Sequence, residues 1–154
     1  MQKFLIGLLL AITSVTSFAW TQRAPNPPQA CQPHAPYGFP ETQGVTPICR
    51  QAYLVGYDAA AKLPKYVTYE LLPQNALGCV ARTNAFAADQ SVPGGATPAD
   101  YAATGYDKGH MSPDGDLSWD TQVEFESFLM TNMSPQAGSL NRGIWKLLET
   151  SVRG

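Results

Sequence analysis

Hydrophobic and polar positions fall into a few patterned runs along the chain, and each predicts an element. Ala52-Tyr53-Leu54-Val55-Gly56-Tyr57 and Tyr66-Val67-Thr68-Tyr69-Glu70-Leu71-Leu72 are β-branched and aromatic runs that predict neighbouring strands, with Asp58 to Pro64 between them. Cys79 to Thr83 predicts a third short strand. Phe128 to Thr131 predicts another, leading into a turn at Asn132 to Pro135. Towards the end, Leu140, Ile144, Leu147 and Leu148 recur at i, i+4, i+7 and i+8, one face of an amphipathic helix. Ser139 is one candidate N-cap for it, and Ser134 before Pro135 is another. Asp89 to Ala103 is a Gly-, Pro- and Ala-rich loop that delivers the chain to Tyr106-Asp107-Lys108-Gly109-His110. Strand, loop with His, strand and helix, in that order, read as α+β and not as a βαβ alternation.

The N-terminus has its own pattern. Lys3 precedes an almost unbroken apolar stretch from Phe4 to Val15, and Ser17-Phe18-Ala19 supplies small residues for a signal peptidase. A membrane anchor needs about 20 apolar residues and this run is shorter. Residues 1–19 are therefore expected to be a signal peptide, with a buried N-terminal helix as the alternative. Export implies a secreted or periplasmic protein with no membrane association once the signal is removed. Trp20 to Pro47 shows no sustained period and reads as an extended, Pro-rich lead-in; it is assigned to 20–49, ahead of a domain at 50–154.

Composition narrows the picture. A chain of 154 residues, 44% hydrophobic and 14% charged, suits one modest globular domain, and 13 Gly with 13 Pro imply short elements and many loops. Removing residues 1–19 leaves nine Lys+Arg against twelve Asp+Glu, a net charge of −3. That excludes coating nucleic acid by bulk charge, and it leaves room for an enzyme that touches a few phosphates. Of the three cysteines, Cys31 and Cys49 pair best, because a staple in the Pro-rich segment can substitute for missing core. Cys79 is then left over.

Chemistry concentrates in one region. There are two histidines, and His34 lies in the lead-in without catalytic-type neighbours. His110 follows Asp107, Lys108 and Gly109, although a lone His beside an Asp is as readily a hydrogen-bonded structural residue. Two histidines cannot make a three-His zinc centre, and no HExxH, paired CxxC, GxSxG or Walker-type loop is present. Asp114-Gly115-Asp116 lacks the ligand spacing of a calcium loop.

YDKGHMSPDGD, followed by FLMTNMSPQAGSLNRGIWKLLE, resembles the DNA/RNA non-specific endonucleases of the ββα-metal (His-Me finger) superfamily. Asp107 to His110 matches that family's Asp-Arg-Gly-His. Asn132-Met133-Ser134-Pro135-Gln136 matches its Asn-x-x-Pro-Gln, and Asn141 to Trp145 with Glu149 matches its metal-binding helix. The resemblance covers roughly residue 50 to the end. It implies an antiparallel sheet with a metal-binding helix and a sequence-indifferent endonuclease acting on DNA and RNA. It also implies Mg²⁺, with Mn²⁺ as a substitute, and products with 5′-phosphate and 3′-hydroxyl ends.

The roles it implies are specific. His110 becomes the general base, Asn141 the single direct metal ligand, and Glu149 a holder of metal-bound water. Arg82 becomes the phosphate-neutralising cation, and Asn132 helps orient the site. These types suit the chemistry: a neutral imidazole makes a nucleophile from water, and cations meet the charge that builds on phosphorus. Lys108 replaces the family's Arg; it keeps the charge and loses the planar fork. Structural alternatives remain: a solvated strand residue for Arg82, a helix-start polar residue for Asn141, and a surface residue for Glu149. Family members continue past the metal-binding helix, so the resemblance also implies that a C-terminal part of the fold is missing from a sequence ending at Gly154. Such a chain is expected to be marginally stable and weakly active, with Cys79's partner in the absent part. Two rivals stand beside the nuclease: an inactive relic that binds nucleic acid or metal without cutting, and a structural exported protein.

Overall fold

Three antiparallel strands open the fold in the computed structural model, which describes residues 29–40 and 44–154. They are β1 (Val45–Cys49), β2 (Leu54–Asp58) and β3 (Leu63–Thr68), in the order β1-β2-β3. The expected signal peptide lies outside the described residues. β2 is the central strand and is buried on both faces, which is why its run reads as continuously apolar. Val55 and Tyr57 pack with Tyr53, Leu117 and Val123 on one side, whereas Leu54 meets Cys31, Ala35 and Phe39 on the other.

The lead-in supplies that second layer. A short 3₁₀ segment, Gln29–His34, is tied to β1 by a Cys31–Cys49 disulfide. The loop closed by this bond spans 18 residues, for which chain entropy gives about 3 kcal/mol of stabilisation. Val45–Cys49, inside the segment read as a lead-in, is thus a sheet strand. Cys79 is free and exposed.

Three expected elements lie elsewhere. The second strand begins at Leu63 and ends at Thr68, because Asp58 pairs with Leu63 and its Oδ1 closes the turn by accepting from Ala61 N at 2.9 Å. Past Thr68 the chain leaves the ladder for α1 (Pro73–Ala76). Cys79 to Thr83 forms no strand. The amides of Cys79 and Val80 both donate to Ser118 O at 2.8 Å, and Thr83 N donates to Glu124 Oε1 at 2.8 Å. Phe128 to Thr131 makes one isolated bridge, Leu129 with Ala87, and then a 3₁₀ turn over Met130–Asn132. Its residues are apolar because they lie in the core: Phe128 and Met130 are fully buried.

The second sheet carries the chemistry. β4 (Tyr106–His110) pairs antiparallel with β5 (Met133–Ala137), placing Asp107 opposite Gln136, Lys108 opposite Pro135 and His110 opposite Met133. His110 therefore ends a strand and does not sit in a loop, and the expected turn at Asn132 to Pro135 belongs largely to β5. Pro135 is tolerated because a two-stranded ladder is all edge. Between the strands run α2 (Asp114–Leu117) and α3 (Thr121–Ser127), the latter capped by Asp120, which accepts from Gln122 N and Val123 N.

After β5 the chain enters a wide π-type turn, Leu140–Trp145, which breaks at Gly143 (φ −104°, ψ −113°) before α4 (Lys146–Arg153). Neither proposed N-cap serves: Ser139 has helical angles and makes no capping bond, and Ser134 is inside β5. The amphipathic face is present but uncovered. Ile144, Leu147, Leu148 and Val152 are 52–65% exposed, and no residue of α4 is buried.

Candidate active site

Strand, loop and helix converge on a cleft of about 410 Å³ beside the end of β4. Lys108 and His110, two residues apart on β4, share its face, as period two requires. Arg82 enters from the irregular segment after α1, Asp114 from the start of α2, and Asn141, Lys146 and Glu149 from the C-terminal helical segments. Five of the six residues singled out in the sequence thus meet in one place: Arg82, Lys108, His110, Asn141 and Glu149. Asn132 is the exception and stands behind them. Fully buried, it accepts from Ser112 N at 2.9 Å and donates to Ser112 O at 2.9 Å and Ser127 O at 2.8 Å, clamping the chain just past His110.

The imidazole is packed between two aromatic rings. Phe86 and Phe128 lie 5.9 and 5.0 Å from it, centroid to centroid. Each carries a cation: Lys108 Nζ is 4.7 Å from the Phe86 centroid, and Arg82 Cζ is 4.8 Å from that of Phe128. Burial first, and the Arg82 charge second, push the His110 pKa down to about 3. Its Nε2 is buried with no hydrogen-bond partner among the described residues, which leaves Nδ1 as the ring nitrogen to meet a water. At neutral pH it is an uncharged base.

The carboxylates at the cleft are shifted the other way. Burial raises Asp114 and Glu149 above the usual range, against the opposing pull of Arg82 on Asp114 and of Arg153 on Glu149. Asn141 is held by its neighbour in the other motif. Its Nδ2 donates to Asp107 Oδ2 at 3.1 Å, and because a carboxylate only accepts, the amide oxygen must face away. An amide oxygen and a partly buried carboxylate lining one cleft are hard oxygen donors, a set that suits a hydrated, hard divalent cation.

Charge is unevenly distributed. Arg82, Lys108, Arg142, Lys146 and Arg153 line the cleft with two carboxylates, Asp114 and Glu149, on a chain of net charge −2. A cationic cleft on an acidic protein attracts polyanions locally. As site residues, Phe86, Lys146 and Arg153 went unread in the sequence, Phe128 was read only as part of a strand, and Asp114 was weighed only within a calcium-loop pattern. Only Asp114 carried a usable signal, four residues after His110 in a run of acidic residues.

A DNA/RNA non-specific endonuclease family model matches residues 31–154. Mitochondrial endonuclease G of Bos taurus is 31% identical over 155 residues, covering 96% of this chain and 51% of the relative. Mitochondrial nuclease EXOG of Xenopus laevis is 33% identical over 133 residues (84% of this chain, 37% of the relative). A nuclease of Nostoc sp. is 34% identical over 109 residues (69% and 39%). Among solved structures, a chain of an EndoG/EndoGI complex superposes with a TM-score of 0.67 at 28% identity, covering 82% of this chain and 54% of that one. The chain spans about one third to one half of the length of the curated relatives it matches.

Proposed function

The chain belongs to the DNA/RNA non-specific endonuclease family, and on that premise we propose that it hydrolyses phosphodiester bonds in DNA and RNA with His110 as general base. The observation that carries this is the pairing of an uncharged, ring-packed imidazole with a cleft rich in cations. Contacts to backbone phosphate carry no base identity, which fits a sequence-indifferent enzyme.

In this mechanism His110 Nδ1 takes a proton from water as the water oxygen bonds to phosphorus and the P–O3′ bond breaks, with the departing O3′ taking a proton from a second water, which leaves 5′-phosphate and 3′-hydroxyl ends. An imidazole with a pKa of about 3 is a weak base. A phosphodiester beside Arg82 offsets the guanidinium charge that helps depress His110, and so raises its basicity when substrate is present. Arg82 and Lys108 meet the negative charge that develops on the phosphoryl oxygens. Asn141 is the residue that would hold Mg²⁺ or Mn²⁺ directly, and Glu149 would hold its water. An ion held there would supply Lewis-acid charge to the phosphoryl group and the leaving oxygen. Export by residues 1–19 belongs to the same proposal, and a disulfide is in keeping with an oxidising compartment.

The direct test is supercoiled plasmid and a structured RNA incubated with purified protein, with Mg²⁺ and with chelator. Nicking and RNA degradation that need the ion support the proposal. Binding of both nucleic acids without cleavage would favour the inactive relic.

A further inference from the structure

Arg82 does not reach into the cleft as a free side chain. Its Nε donates to Asn84 Oδ1 at 2.8 Å and its Nη1 to Asp114 Oδ2 at 2.9 Å, while Cζ lies 4.8 Å from the Phe128 centroid. The same Phe128 ring is 5.0 Å from the His110 ring. Nη2 is thus the one guanidinium nitrogen with no protein partner among the described residues. Asn84, which takes Nε, sits in the left-handed region at φ 55°, a conformation Asn tolerates better than most residues.

Of these contacts, the one to Asp114 is the charged one. The Asp114 side chain is 11% exposed, against 46% for that of Arg82, so the carboxylate is the fixed partner and the guanidinium the held one. Its other oxygen, Oδ1, is buried and makes no hydrogen bond. A buried carboxylate with one idle oxygen is costly to keep, and a neutral apolar side chain would fill the same place more stably. Its position at the first turn of α2, directly after the His110 strand, ties Arg82 to the segment that carries the base.

We propose that Asp114 is a positioning residue for the reaction: it turns Arg82 so that Nη2 alone faces the scissile phosphate, and it fixes that edge relative to His110. This role rests on the nuclease function proposed above. It separates two effects of one carboxylate. As a charge, Asp114 opposes polyanion binding; as an anchor, it aids the chemical step. Removing it should therefore slow turnover without weakening binding.

A double-mutant cycle with Asp114→Ala, Arg82→Ala and the combination tests this, using plasmid cleavage with Mg²⁺ and anisotropy of a labelled single-stranded DNA oligonucleotide in chelator. Asp114→Ala is expected to lower kcat about 10–100-fold, the scale of a misplaced catalytic group, with oligonucleotide affinity unchanged or tighter. In the Arg82→Ala background the same change should alter kcat by less than about twofold. Asp114→Glu should recover part of the loss. Equal losses in both backgrounds, or a rise in kcat, would overturn the role. The Arg82 Nη1–H resonance in a low-temperature ¹H–¹⁵N spectrum gives a readout that needs no cleavage: a resolved signal in the parent, where Asp114 holds that nitrogen, should be lost to solvent exchange in Asp114→Ala. An unchanged signal rejects the anchor even if the protein proves not to cut. Absent cleavage by the parent, with the expected loss of signal, would reject the nuclease function and leave the anchor standing.

Discussion

Asp107 Oδ2 accepts a hydrogen bond from Asn141 Nδ2 at 3.1 Å and also faces Arg142 Nε at 3.2 Å, so the first residue of the His motif sets the orientation of the amide 34 positions later. Without that acceptor the Asn141 amide is free to rotate. Asp107→Ala is expected to raise the Mg²⁺ concentration for half-maximal cleavage about 10–100-fold, the usual cost of losing an outer partner of a metal ligand. Asp107→Asn keeps an accepting oxygen and should cost less. A magnesium titration of both variants checks this, and an unchanged requirement in Asp107→Ala would separate the pair from metal binding.

His110 is held neutral far below its ordinary range, with a pKa of about 3 in the fold against 6.5 for the free side chain. Between those values the unfolded chain binds the extra proton, so this group's stabilisation is present above about pH 6.5 and lost as pH falls, at up to ~1.4 kcal/mol per pH unit. Asp114 and Glu149, raised mainly by burial, act with the opposite sign at lower pH. Thermal midpoints of parent and His110→Phe from pH 4 to 8 should converge or cross as pH drops. His110→Ala should lose several orders of magnitude in cleavage at every pH while retaining oligonucleotide binding.

Gly109 has no room for a side chain. A Cβ there would run into the side chain of Gln136, which is 8% exposed and lies across the β4–β5 ladder. Gly109→Ala is expected to cost about 1–3 kcal/mol through overpacking. Gly109→Ala with Gln136→Ala should recover part of it. Urea denaturation of the two variants measures the coupling, and simple additivity would show the clash to be harmless.

What was legible in the sequence follows from where side chains meet. The runs around β2 and the His and Asn motifs were readable because burial on both faces and fixed motif spacing leave marks in a linear pattern. β4 and β5 were not: Asp107-Lys108-Gly109 has no β-branched residue, and Pro135 signals a turn everywhere except on an edge. Phe128 is apolar for the sake of His110 and Arg82 and not for a strand, a distinction that only packing reveals. The pairing of Asp114 with Arg82 joins residues 32 apart through a coil, and no local period encodes it.

Arg153 is the C-terminal tether of α4. Its Nη1 meets Asp116 Oδ1 at 2.6 Å, Asp116 is almost fully buried, and Tyr69 Oη donates to the other oxygen at 2.6 Å. Gly115 makes way for it, since a Cβ there would come within 2.9 Å of the guanidinium. Arg153→Ala leaves a buried charge unpaired and is expected to cost about 3 kcal/mol. Arg153→Met with Asp116→Leu should be milder. Thermal unfolding by circular dichroism compares the two, and equal losses would place the stabilisation elsewhere.

The uncovered side of the last helix bears on how the protein behaves in bulk. Ile144, Leu147, Leu148 and Val152 form an aliphatic ridge more than half open to solvent, on a molecule whose net charge is only −2. So little like-charge repulsion does not hold such ridges apart, and their contact strengthens with warming and with salting-out anions. Light scattering in rising ammonium sulfate should show an early onset that Leu147→Lys delays.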